Sequence, residues 1–203
     1  QAAAAAADAP GVRETVRSLR GQGFHLEPFR PQALHAARQL WWKLFVLSGA
    51  MMLDPIVAGH ESMLSPTFRD FLHIAHQEPP LSGDQLLSAW AECDIVRGKL
   101  LEEMRRFPIL ISPVCSIPAF RHGERTWNVD GQQVAYLDAM RYTQWVNLLG
   151  APAAVVPVGW STEGLPIGIQ IAGRPWQDEV VLGIAAAIER DFGYVPPPMA
   201  VDA

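Results

Sequence analysis

Apolar positions along this chain repeat with two periods, one helical and one extended. Pro10 is well placed for a first helical position. Val12, Val16 and Leu19 then fall at i, i+4 and i+7, which predicts a short amphipathic helix stopped by Gly21 or Gly23. The alanine run ahead of it has high helix propensity but no periodic face. Phe24, Leu26 and Phe29 in "FHLEPF" read as one side of a brief strand. From Pro31 to about Met52 a second helix is expected, with Leu34, Ala37, Trp41, Leu44 and Phe45 as its apolar face. Trp42, Val46 and Met51 widen that face, so this helix should be covered on more than one side. Residues 54–66 read as a loop, followed by a short helix through Phe71 and Leu72 that Pro79 and Pro80 close. Ser82 and Gln85 have capping-box spacing and open the longest helix, which runs to Met104. Arg105 and Arg106 suit its negative end.

"ILIS", residues 109–112, is a short apolar run bounded by prolines and predicts a buried strand. Residues 114–134 form a polar stretch too long for a plain connection, which suggests a lid or rim. Tyr136 to about Leu148 reads as a helix. The stretch "GAPAAVVPVGWSTEGLPIGIQIAGRP", residues 150–175, predicts two strands. The first, Ala153–Val156, should stop at Pro157, which cannot donate to a ladder. The second alternates Ile167, Ile169 and Ile171 with Gly168, Gln170 and Ala172, a greasy face against a small or hydrogen-bonding one. Val180–Ile188 closes the pattern as an amphipathic helix before a run of prolines. The class is α/β, with a mixed sheet flanked by helices and no internal repeat.

Composition narrows the function. At 203 residues the chain suffices for one domain or part of a larger one. With 49% hydrophobic and 18% charged residues it is no disordered tail. A net charge of −5, and only two lysines, Lys43 and Lys99, argue against direct nucleic acid binding or attraction to anionic membranes. Cys93 and Cys115 lie far apart and read as reduced, partly buried thiols. The greasiest stretch, Leu40–Leu53, contains Lys43 and is too short for a membrane span. With no signal peptide at its start, a cytoplasmic location is expected. The opening on Gln1 and alanines reads as a chain entered part-way through.

Candidate chemistry is sparse. "GWSTEG" spaces its serine as G-x-S-x-x-G, not as a nucleophile elbow, so Ser161 is expected to form a turn. His73 and His76 lie three apart without a third ligand, so no metal is expected. His60 and His122 fall in loops. Glu102, Glu103, Asp178 and Glu179 are neighbours on helices and should point to solvent. No phosphate-cradling loop occurs and no cofactor is implied. The residues by themselves assemble no complete catalytic set.

Residues 142–189 nevertheless carry a long ordered pattern. Asn147, Leu148, Gly150 and Pro152 make a turn, Pro157 and Gly159 end an apolar strand, and Gly164, Leu165, Pro166, Gly168 and Gln170 open the next. An Ala-rich helix ending in Glu189 follows. In order and spacing this resembles the C-terminal region of the amidase signature family. "FPILISPVCSIPAF" and "VRSLRGQGFHLEP" are similar to earlier segments of that family, although Pro108 stands where an aspartate is usual. Residues 54–80 and 114–134 are the variable parts.

The resemblance implies hydrolysis of a carboxamide by a serine nucleophile, aided by a second serine in a cis peptide bond and by a lysine. These lie in the family's N-terminal half. Neither Lys43 nor Lys99 matches the lysine motif, and no Gly-Gly-Ser-Ser sequence occurs. The chain is therefore expected to be the C-terminal segment of a single amidase domain, without its triad and inactive alone. It would complete the sheet and close the acyl side of the pocket for a small-molecule amide. Met140, Thr143 and Gln144 on one helix, and Cys115 on the loop near Pro113–Ser116, would face that pocket. Relatives acting on glutamine place an acid near Met140, so its apolar side chain implies an apolar or aryl carboxamide. Competing expectations are the A-like component of a tRNA-dependent amidotransferase and a non-catalytic binding or assembly module. The expected partners are the missing N-terminal half and a second copy in a homodimer.

Overall fold

The computed structural model of the chain describes residues 10–194; the alanine run and the closing prolines lie outside them. The fold is α/β, with helices packed on both faces of a small sheet. Strands β1 (Ile109–Pro113), β4 (Ala153–Trp160) and β5 (Pro166–Gly173) form a three-stranded antiparallel sheet in the order β1-β5-β4. Ile111 pairs with Ile171 and Ser112 with Gln170, while Val155 pairs with Gln170 from the other side. β5 is thus central and covered on both faces.

The expected alternation holds in β5. Ile169 and Ile171 pack with helices α1 (Pro10–Gly21) and α7 (Asp178–Phe192), among Val12, Leu19, Val181 and Ile188. Burying each isoleucine stabilises the fold by ~1.5–3 kcal/mol. Ala172 faces the opposite core, built from α2 (Ala37–Val57), α4 (Gly83–Glu103) and α6 (Arg141–Leu149). Leu40, Leu44, Cys93, Leu100, Trp145 and Leu149 fill it. A third cluster, Val46, Ala50, Leu72 and Ala75, joins α2 to α3 (Pro66–Ala75). The capping box of α4 is present as expected, each of Ser82 and Gln85 bonding the other's backbone.

Several expectations need correction. Residues 24–29 form no strand. Gly23 adopts φ +90° and Phe24 N–H returns to the Leu19 carbonyl, closing α1, while Arg20 donates to Leu26 O. The following segment has no neighbouring ladder to join. α2 runs on to Val57 through Pro55, past the expected loop start, because a proline near a helix end forfeits few bonds. Its middle, Trp42–Leu47, widens into a π-helix. Against the expectation of a stretch too short to span, these 21 residues are long and apolar enough to cross a membrane; 28% of the apolar window is buried, its inward residues in two cores, while Met52 and Ile56 stand exposed.

The stretch 114–134 is not all loop: Thr126–Val129 (β2) and Gln132–Ala135 (β3) form a hairpin. Asp130 and Gly131 both take positive φ, the turn that Asp-Gly favours. Nor does Pro157 stop β4. β4 lies at the sheet edge, where a missing N–H costs no ladder bond, and a register shift between Pro157 and Gly159 absorbs the irregularity. The helix expected from Tyr136 breaks at Met140 into α5 (Tyr136–Ala139) and α6. Glu103 does not point to solvent: it accepts from Gln32 N and Ala33 N, holding the 3-10 turn Gln32–His35.

Candidate functional site

β1 ends at Pro113 and hands the chain to a loop carrying Cys115 and Ser116. Ser116 N–H donates to Ala139 O at 2.9 Å, fixing this loop to the end of α5. The Cys115 thiol turns back on Ile117 O at 2.8 Å. Met140 sits between α5 and α6 with φ −88° and ψ 6°, and its carbonyl accepts from both the amide and the hydroxyl of Thr143. One backbone bond, from Ser116 N–H to Ala139 O, therefore joins the expected site segments 113–117 and 136–144.

Gln144 is held deeper than the sequence suggests. It is 3% exposed and donates through Nε2 to Leu137 O at 2.6 Å. Because a carbonyl can only accept, this bond fixes the orientation of the amide and leaves Oε1 buried with no partner among the described residues. The hydroxyl of Ser116 is likewise buried without a partner among them. Such groups are costly unless something else on the wall satisfies them.

Gln170 is the residue that sequence reasoning placed in a motif without assigning it a task. It is 2% exposed and donates from Nε2 to Ser112 Oγ at 3.2 Å and to Tyr142 O at 3.0 Å. A single amide thus pins β5 to β1 and to the first turn of α6. Its position on the small-residue face of an alternating strand was the available signal.

Groups set aside as reactive have local partners. Ser161 Oγ accepts from Glu163 N and Leu165 N, the geometry of a polar turn. Hydrogen bonds from the Ser161 and Thr162 side chains hold the Glu163 carboxyl below its ordinary range. His76 bridges Asp54 at 3.0 Å, and His73 meets Gln77. Among the described residues no cluster of three or more His, Cys, Asp or Glu could hold a metal. Burial pushes the Cys93 thiol up, with Arg97 opposing the effect and Asp94 adding to it.

Two grooves open elsewhere. One of about 490 Å³ is lined by Arg38, Trp42, Lys43 and Glu78 among others, and one of about 480 Å³ by Phe120, Arg125 and Tyr136. Cys115, Met140, Thr143 and Gln144 line neither.

The fold around these segments defines the class. A crystal structure of an amidase superposes on 90% of the chain with a TM-score of 0.75 at 22% identity, the chain covering 42% of that structure. The chain belongs to the amidase signature family, whose model, Amidase, matches residues 3–182. It is 48% identical over 80 residues to a fatty acid amide hydrolase of Arabidopsis thaliana, covering 39% of this chain and 12% of that protein. It is 29% identical over 208 residues to the A-type subunit of the glutamyl-tRNA(Gln) amidotransferase of Chlamydia pneumoniae, covering 88% of this chain and 41% of that one. The chain thus spans well under half the length of these relatives.

Proposed function

We propose that this chain is the C-terminal segment of a serine-dependent amidase domain that hydrolyses carboxamide bonds. It supplies sheet and one wall of the substrate pocket, and the two serines and the lysine come from the rest of the domain. The observation that carries this reading is a family match over residues 3–182 in a chain that spans 42% of a solved amidase. The absence of a Gly-Gly-Ser-Ser sequence from its 203 residues agrees. A serine-directed fluorophosphonate should leave the chain unlabelled and should label the complete domain. Stoichiometric labelling at Ser161 would overturn the assignment.

The substrate is an apolar or aryl carboxamide. Met140 sets an apolar side chain at the start of α6, where an ammonium-bearing substrate would need an acid. The 48% identity with a fatty acid amide hydrolase supports this choice. Much faster hydrolysis of glutamine than of fatty or aryl amides by the complete enzyme would refute it. The A-type component of a tRNA-dependent amidotransferase is the second reading, supported by the alignment over 88% of the chain. Copurification of a partner protein, with amidation of charged tRNA, would establish it instead. A homodimer is supported by Leu87, Trp90 and Ile95, exposed on one side of α4, and a monomer in sedimentation velocity would exclude it.

A further inference from the structure

The groove beside the π-helix carries chemistry that the amidase wall does not use. π-helical turns are rare and recur at functional sites, because their widened ladder is kept despite poorer bonding. Here Trp42, Lys43 and Leu47, all on the Trp42–Leu47 turn, line one side of the ~490 Å³ space. Pro79 and Leu81 line it as well. The volume lies within the range of small-ligand pockets.

Its charged groups are committed, with one exception. The Trp42 indole N–H donates to Glu78 Oε1 at 2.8 Å, which fixes the ring plane. The Arg38 guanidinium donates twice to Asp138 Oδ1, at 2.7 and 3.1 Å, and lies 5.2 Å from the Trp42 ring centroid. Lys43 is half-buried, and its ammonium has no ion pair or hydrogen bond among the described residues. A cation without an ion-pair partner, in a groove of mixed polar and apolar lining, is an asymmetric recognition element.

We propose that this groove binds a small monocarboxylate with an apolar body, its carboxylate on the Lys43 ammonium and its body against Trp42, Leu47, Pro79 and Leu81. One uncommitted cation among the described lining residues matches one negative charge. Glu78 lines the same space and disfavours a dianion such as a phosphate monoester. Arg38, already paired and stacked, supplies no second anchor.

The test uses the protein as its gene encodes it, titrated with 3-phenylpropanoate and with the neutral 3-phenylpropanol, following the Trp42 indole N–H resonance. The acid is expected to bind and to shift that resonance. The alcohol should bind at least about fivefold more weakly, the equivalent of ~1 kcal/mol for one partly screened ion pair. Lys43→Met should reduce affinity for the acid to that of the alcohol, Lys43→Arg should retain most of it, and Glu78→Gln should weaken discrimination against phenyl phosphate. Equal binding of acid and alcohol by the unmodified protein would overturn the proposal whatever the variants do. So would an unshifted Trp42 resonance, or undiminished binding by a folded Lys43→Met protein.

Discussion

Gln170→Met is the substitution that most directly probes how the wall is held. The thioether fills nearly the same volume as the amide, so packing changes little. Both donated bonds vanish, however, leaving Ser112 Oγ and Tyr142 O facing an apolar side chain. Each lost hydrogen bond contributes about 0.5–1.5 kcal/mol net. The serine hydroxyl can still donate to Pro113 O at 3.1 Å, and the Tyr142 carbonyl lies within the first turn of α6, so the cost is that of two lost bonds between elements. A total of about 1–3 kcal/mol is expected, read as a lower urea midpoint with an unchanged m-value. Because the lost bonds join the sheet to α6, amide hydrogen exchange should accelerate most in Arg141–Leu149. In the complete enzyme kcat/KM should fall with this loosening. Gln170→Glu separates polarity from charge: at neutral pH its buried carboxylate cannot donate, so its folded-state pKa is raised. The stability of that variant should improve as pH falls through the raised value, where protonation restores a donor. A stability loss below about 0.5 kcal/mol in Gln170→Met, within the range of an inert surface change, would refute the pinning role.

Two further predictions concern the packing behind the wall. A methyl group at Gly173 would lie 2.5 Å from Val181 Cγ2, a stiff β-branched side chain that is itself buried. Gly173→Ala should therefore destabilise by about 1–3 kcal/mol, exceeding the ~0.4–1 kcal/mol gained from a less flexible unfolded chain. Val181→Ala should recover part of that loss in the double mutant, and strictly additive urea midpoints would count against the contact. Asp191 accepts from Ser18 Oγ at 2.6 Å and Gln22 Nε2 at 3.0 Å, bonds that hold its carboxyl below the ordinary value and tie α7 to α1. A depressed folded-state pKa contributes stability above the ordinary aspartate range, lost as pH falls through and below it. Relative to Asp191→Asn, the unmodified protein should be the more stable at neutral pH, and the gap should close on acidification. A gap independent of pH would show that the carboxylate charge is irrelevant.

What could be read from the sequence follows from which forces act locally. Periodicity placed the helices and β1, β4 and β5 because one-sided burial imposes a period on each element. The Ser82–Gln85 capping box was legible for the same reason, since both partners lie within one turn. Phe24–Phe29 alternates like a strand, but strands need a neighbour, and where the chain leaves α1 none is within reach. Pro157 forbids a central strand but not an edge one, and no local signal says which edge β4 occupies. Asp130-Gly131 was a local signal for a hairpin, masked by the polarity of its flanking residues. The candidate wall was legible only through the family pattern, and for a physical reason. Its residues are proposed to act by shape and by fixed amides, not by titration, so no acid, base or nucleophile marks the place. Gln144 and Gln170 look interchangeable in the sequence, each a glutamine among apolar neighbours. Only the bonds distinguish them. Gln170 spends its donors joining three elements, whereas Gln144 ties α6 to α5 and keeps a buried carbonyl oxygen free. An acceptor left open beside an amide that is otherwise fixed is where a donor from outside the described residues has most to gain.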